Sequence, residues 1–161
     1  MVIDMKIAGL FFEVDVTRDL RSTSKRAAFV RVTERISQIH SRLNPDELLD
    51  ELWEREKLGV TALGFGIGCP HSILDKISYP FMNITQLARP VDYGAQDAVP
   101  VDLLVCLLGP ARCVPQFRIA LSTLCLRMRD ARVRAAFRHA QLAIDVHGAL
   151  DVNASHRRSI A

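Results

Sequence analysis

Residues 101 to 108, VDLLVCLL, make a nearly continuous apolar run of strand length, closed by Pro110. A strand with no polar face belongs inside a sheet that is covered on both sides. Helices must supply that cover, and the chain contains them. Phe29, Val32, Ile36, Ile39 and Leu43 repeat at spacings of three and four, while Arg31, Glu34, Arg35, Gln38 and Arg42 fall off that stripe. This pattern predicts an amphipathic helix packed on a core, with Ser22 or Ser24 of the preceding RDLRSTS segment as its N-cap.

Asn44-Pro45-Asp46-Glu47 starts a second helix: Asn as N-cap, Pro at the first helical position, and Glu at the third, where it can reach back. Leu48, Leu49, Leu52 and Trp53 form its buried face, and Gly59 stands where a left-handed C-terminal residue belongs. The alternating LFFEVDV, 10 to 16, predicts a strand, as does the segment from Met82 to Leu87. Thr61 to Cys69 is expected to be extended and irregular, with a short helical turn after His71. Phe117, Leu121, Leu124 and Met128 mark a helix from about 115 to 129, and Val133, Ala136 and Phe137 a shorter one after Asp130. Strands alternating with helices predict a single α/β layered domain over residues 1–150, followed by a polar tail, DVNASHRRSIA, at 151–161.

The 161 residues are 49% hydrophobic, enough for a core without metal or disulfide clips. Cys69, Cys106, Cys113 and Cys125 contain no CxxC pair and read as reduced, mostly buried thiols of a cytoplasmic protein. Glu13 and Asp15 break the apolar IAGLFF run before signal-peptide length, and no run approaches ~18 apolar residues, so membrane insertion is not expected. A net charge of +3 does not argue for nucleic acid. The arginines gathered between Arg112 and Arg138 lack interleaved aromatics beyond Phe117 and Phe137, and read as a solvated helical face.

The chemistry concentrates in GVTALGFGIGCPHSILDK, Gly59 to Lys76. Gly64, Gly66 and Gly68 alternate just ahead of His71, and glycines are costly in a strand unless something must approach the backbone. Three readings of His71 follow. It is a nucleophile accepting a phosphoryl group, with bare amides and a cation nearby; or a metal ligand paired with Cys69; or a structural loop histidine. Two ligands are too few for a tetrahedral metal set, and no metal is assigned. Arg55 reads either as a cation at a helix C-terminus or as a phosphate contact. Asp92 and Asp102 read as structural.

EREKLGVTALGFGIGCPHSILDK resembles the phosphorylation-site segment of the enzyme IIA domains of the bacterial phosphoenolpyruvate phosphotransferase system, in the fructose/mannitol and nitrogen-regulatory class. Arg55, Glu56, Gly59, Thr61, Gly64, Gly66, Ile67, Pro70 and His71 carry the match. RPVDYGAQDAVPVDLLVCLLGP, Arg89 to Pro110, is similar to that family's second motif at the same distance. The resemblance covers roughly residues 22 to 140 and implies a mixed β-sheet flanked by α-helices. It further implies His71 as phosphoryl acceptor from an HPr-like histidine phosphocarrier, with Arg55 beside it and Thr61, Gly64, Gly66 and Gly68 binding phosphate, and no cofactor. Because the chain carries no transport domain, it implies a nitrogen-regulatory, protein-binding role ahead of sugar uptake. The chain departs from the family at Phe65 and, ungapped from Pro110, at Phe117, where relatives place a supporting histidine; no histidine lies between His71 and His139. A regulatory binding module that transfers phosphate poorly is the alternative expectation.

Overall fold

A computed structural model describes residues 3–150. The expected central strand is β7, Val101–Pro110, buried along nearly its whole length. Its neighbours are β6, Phe81–Val91, antiparallel to it on one side, and β4, Ile67–Gly68, and β5, His71–Leu74, both parallel to it on the other. Beyond β6 lie β2, Leu10–Leu20, parallel to β6, and β1, Ile3–Ile7, antiparallel to β2; β3, Ala62–Gly64, pairs with β4. The order is β1-β2-β6-β7-β4-β3, with β5 continuing the line of β4 along β7. This is a mixed sheet with helices on both faces, as the sequence predicts.

Strand alternation sorts the core into two layers. Ile67, Leu103, Val105 and Leu107 face α3, Val114–Arg127, α4, Ala131–His139, and α5, Ile144–Leu150. Leu104, Cys106 and Leu108 face α1, Lys25–Ile39, and α2, Pro45–Lys57. The helix starts follow their capping residues. Ser24 accepts from the Ala27 amide, Asn44 from Asp46 and Glu47, and Asp130 from Arg132. Each satisfies donors that a helix start leaves open.

Several local expectations are corrected. Glu47 does not reach back to cap α2; its carboxylate pairs with Lys76 instead. Gly59 is not left-handed, because α2 ends on Leu58 in a right-handed conformation whose amide bonds Arg55 and Glu56 carbonyls. The residues after His71 form strand β5 rather than a helical turn, held by β7 from Leu107 to Pro110. β1 and α5 escaped the reading, β1 because its apolar residues looked like an interrupted leader. A turn at Ala8 and Gly9, both with positive φ, folds β1 back on β2. The arginine-rich segment is tied down more than a solvated face would be. Arg138 holds Asp102 at 2.8 Å, Arg127 the Ala149 carbonyl at 2.8 Å, and Arg134 the Met128 carbonyl at 2.9 Å. The tail at 151–161 lies outside the described residues. Among the described residues, no helix is long and apolar enough to cross a membrane.

Candidate functional site

α2 delivers both members of its Arg55-Glu56 pair to the start of β5, but to different environments. Glu56 is buried, and its carboxylate accepts from the Thr61 amide at 3.0 Å, from the Thr61 hydroxyl, and from Lys25 of α1 in an ion pair. Lys25 also donates to the Tyr93 carbonyl at 3.0 Å and lies 4.1 Å from the Tyr93 ring centre. The Tyr93 hydroxyl in turn meets the Thr61 hydroxyl at 3.1 Å. Every polar atom of this buried cluster therefore has a partner, the condition under which burial of a charge is tolerated.

The cluster reaches His71 through the backbone. The Thr61 carbonyl accepts from the Cys69 amide at 2.7 Å, and the Cys69 carbonyl lies 2.9 Å from His71 Nδ1. A carbonyl can only accept, so Nδ1 carries the hydrogen and Nε2 presents its lone pair. The ring is half-buried. That burial lowers the His71 pKa below its usual 6.5; the Cys69 hydrogen bond opposes the shift, the Arg55 charge adds to it, and Glu56 opposes it. The imidazole is thus neutral at neutral pH. A ring NMR titration is expected to place the His71 midpoint below 6.5. The unfolded chain takes up this proton first as pH falls, so His71 contributes stability above the unfolded value that is lost as pH drops through the folded one.

Arg55 is half-buried and donates to the Gly59 carbonyl at 3.0 Å, while its charge is felt at His71. The predicted phosphate-binding residues separate into two places. Thr61 is drawn into the Glu56 cluster. Gly68 lies where β4 passes the helix layer, and a Cβ there would stand 2.7 Å from Leu104 and 2.8 Å from Tyr93. Gly64 and Gly66, both with positive φ, shape the tight β3–β4 turn. Gly66 accepts from the Asp102 amide at 3.0 Å, at the start of β7, whereas His71 pairs with Leu107. Five strand positions separate those levels, roughly 16 Å. The structure therefore brings His71, Arg55 and Thr61 together and leaves the Gly64–Gly66 turn at the other end of β7.

That turn is built for its own neighbours. A Cβ on Gly66 would meet Arg138, Asp102 and the Pro100 carbonyl at 3.0 to 3.1 Å, and the Phe65 amide donates to Asp97 at 2.8 Å. Asp102 is structural through Arg138, and Asp92 through its turn bond to the Gly94 amide at 3.0 Å. Cys69 is a free, buried thiol. The neighbouring Cys125 thiol and burial hold its proton on, while the same neighbour pushes Cys125 down to about 7. Phe117 is buried at 2% exposure; its ring covers Gly109, two residues past the register partner of His71, and tilts against Phe12. Sequence reasoning missed Lys25 and Tyr93 as site supports and left Glu56 without a role; a buried acid flanked by a helix and a glycine turn gives no periodic signal.

The chain matches the family model described as phosphoenolpyruvate-dependent sugar phosphotransferase system, EIIA 2, over residues 10–151. It is 29% identical to the nitrogen regulatory protein of Bradyrhizobium diazoefficiens over 146 residues, covering 91% of this chain and 95% of the relative. It is 35% identical to the nitrogen regulatory protein of Pseudomonas aeruginosa over 117 residues, 70% of this chain and 76% of that one. The crystal structure of the nitrogen regulatory protein IIA-Ntr from Neisseria meningitidis superposes with a TM-score of 0.76 at 25% identity, covering 86% of this chain and 96% of that one.

Proposed function

From the premise that the chain belongs to the EIIA 2 family of the phosphoenolpyruvate-dependent sugar phosphotransferase system, we propose that it is a nitrogen-regulatory-type enzyme IIA whose His71 accepts a phosphoryl group from an HPr-like histidine phosphocarrier. The single observation that carries this reading is the tautomer of His71: Nδ1 is engaged by the Cys69 carbonyl, so a neutral ring offers Nε2 outward. In the transfer, the Nε2 lone pair forms the new nitrogen–phosphorus bond as the bond to the carrier's imidazole breaks, and that imidazole leaves with its electron pair. Arg55 supplies the countercharge for the phosphoryl oxygens. Leu58 at 86% exposure and Val60 at 48%, three and five residues after Arg55, offer apolar surface for a protein partner.

Incubation with phosphoenolpyruvate, enzyme I and an HPr-like carrier is the test, with detection of acid-labile phosphate. Label is expected on the wild type and absent from a folded His71→Ala variant; label that persists in that variant excludes the assignment. Arg55→Ala is expected to slow transfer by roughly ten- to a thousandfold, and an unchanged rate returns Arg55 to holding the Gly59 carbonyl alone. One observation favours a second reading, a regulatory module that transfers phosphate poorly: Phe117 is a core ring and offers no proton or hydrogen bond to a phosphohistidine.

A further inference from the structure

A cavity of about 770 Å³ opens where β2 ends, α1 begins and β6 runs past them. β2 and β6 are parallel, with Leu20 opposite Leu87, so both release their carboxyl ends on the same side of the sheet. That is where open α/β sheets place ligand crevices. Three arginines line the cavity, Arg21, Arg31 and Arg89. Arg31 pairs with Glu34 at 3.1 Å on an exposed surface, a weak claim on its charge. Among the described residues, no carboxylate lies within 4.0 Å of the Arg21 or Arg89 guanidinium.

The other walls complete a bipartite site. Ser22 and Thr23 stand at the cavity beside the first turn of α1, which contains no acidic residue, whereas α2 carries Asp46 and Glu47 there. Ala27, Val30 and Ala88 provide an apolar wall. A volume of this size suits a small molecule rather than a single ion. The place is remote from His71. Met82 and His71 flank Leu107 at one level of the sheet, and Ala88 lies six residues further along β6, roughly 20 Å away.

We propose that this cavity binds a nucleoside phosphate, its phosphates held by the guanidinium forks of Arg21 and Arg89 and its ring laid on Val30 and the two alanines. Arginines without carboxylate partners at one cavity favour phosphate oxygens, which accept paired N–H donors. The apolar wall selects a ligand with a ring over a bare anion.

Titration of the intact protein with ATP, AMP and inorganic phosphate, followed by calorimetry and by amide NMR, tests this. Expected is saturable binding of at least one nucleotide with Kd below about 1 mM, with shifts confined to the segments around Arg21–Ala27 and Ala88–Arg89. Inorganic phosphate is expected to bind more weakly. Arg21→Ala and Arg89→Ala, both at exposed positions, are expected to keep the fold and each to weaken binding about tenfold. Absence of saturation at several millimolar nucleotide overturns the proposal. So do shifts centred on His71, equal binding of inorganic phosphate, or undiminished binding by the two variants.

Discussion

Glu56→Ala is expected to destabilise the protein by about 3–5 kcal/mol, read as a lower denaturant midpoint at unchanged slope. The carboxylate is buried and is the only anion paired with Lys25 among the described ion pairs. Its removal strands an ammonium whose side chain is 17% exposed, and it also deprives the Thr61 amide and hydroxyl of their acceptor. Glu56→Gln keeps an oxygen for Thr61 but not the charge, so it should fall between wild type and Glu56→Ala. The consequence extends to chemistry, because Thr61 holds Cys69 and Cys69 orients the His71 ring. Phosphoryl acceptance by the still-folded Glu56→Gln variant should therefore drop as well. A stability loss below about 1 kcal/mol for Glu56→Ala would mean that water reaches Lys25 and that the cluster is not closed.

Phe117→Ala is expected to cost about 3–5 kcal/mol. The ring fills the layer between β7 and α3, so close to the sheet that a Cβ on Gly109 would lie 2.5 Å from it. Gly109 is a glycine for that reason, and the cavity left by alanine has no side chain on the strand to collapse into it. Phe117→His separates the two functional readings. A buried imidazole without a partner should destabilise by about 1 kcal/mol or more. If wild type accepts phosphate rapidly and Phe117→His merely destabilises, the ring is a packing element and phosphoryl transfer needs no second histidine. If Phe117→His raises the phosphorylated fraction, the aromatic ring was holding transfer back, and the regulatory-module reading gains.

The legible parts of this fold are those in which one residue type answers to one local force. Ser24, Asn44 and Asp130 cap the helices they precede, and the VDLLVCLL run lies at the centre of the sheet. The illegible parts depend on tertiary competition. Glu47 has a capping position but finds Lys76, and the residues after His71 lack strand alternation but are captured by the free side of β7. The same distinction holds at the site. His71 and Arg55 could be named from the motif that contains them, whereas Lys25 and Tyr93 are distant in sequence and join it only through folding. Glycines illustrate the limit most directly: three in alternation suggested one phosphate cradle, yet Gly68 answers to Tyr93 and Leu104, and Gly66 to Asp102 and Arg138.

The order in which the strands are synthesised bears on when the molecule becomes competent. Among the described residues β5, which carries His71, has its only strand partner in β7, the last strand in sequence order. β2 has β1 beside it from the start but waits for β6 on its other side. On the ribosome the site segment therefore emerges as an orphan, and it acquires its geometry only when residues 101–110 thread between β6 and the β4–β5 line. Such non-local parallel pairing is slow to form. A chain arrested before Val101 would possess the histidine, the arginine and the glycines but no template to align them.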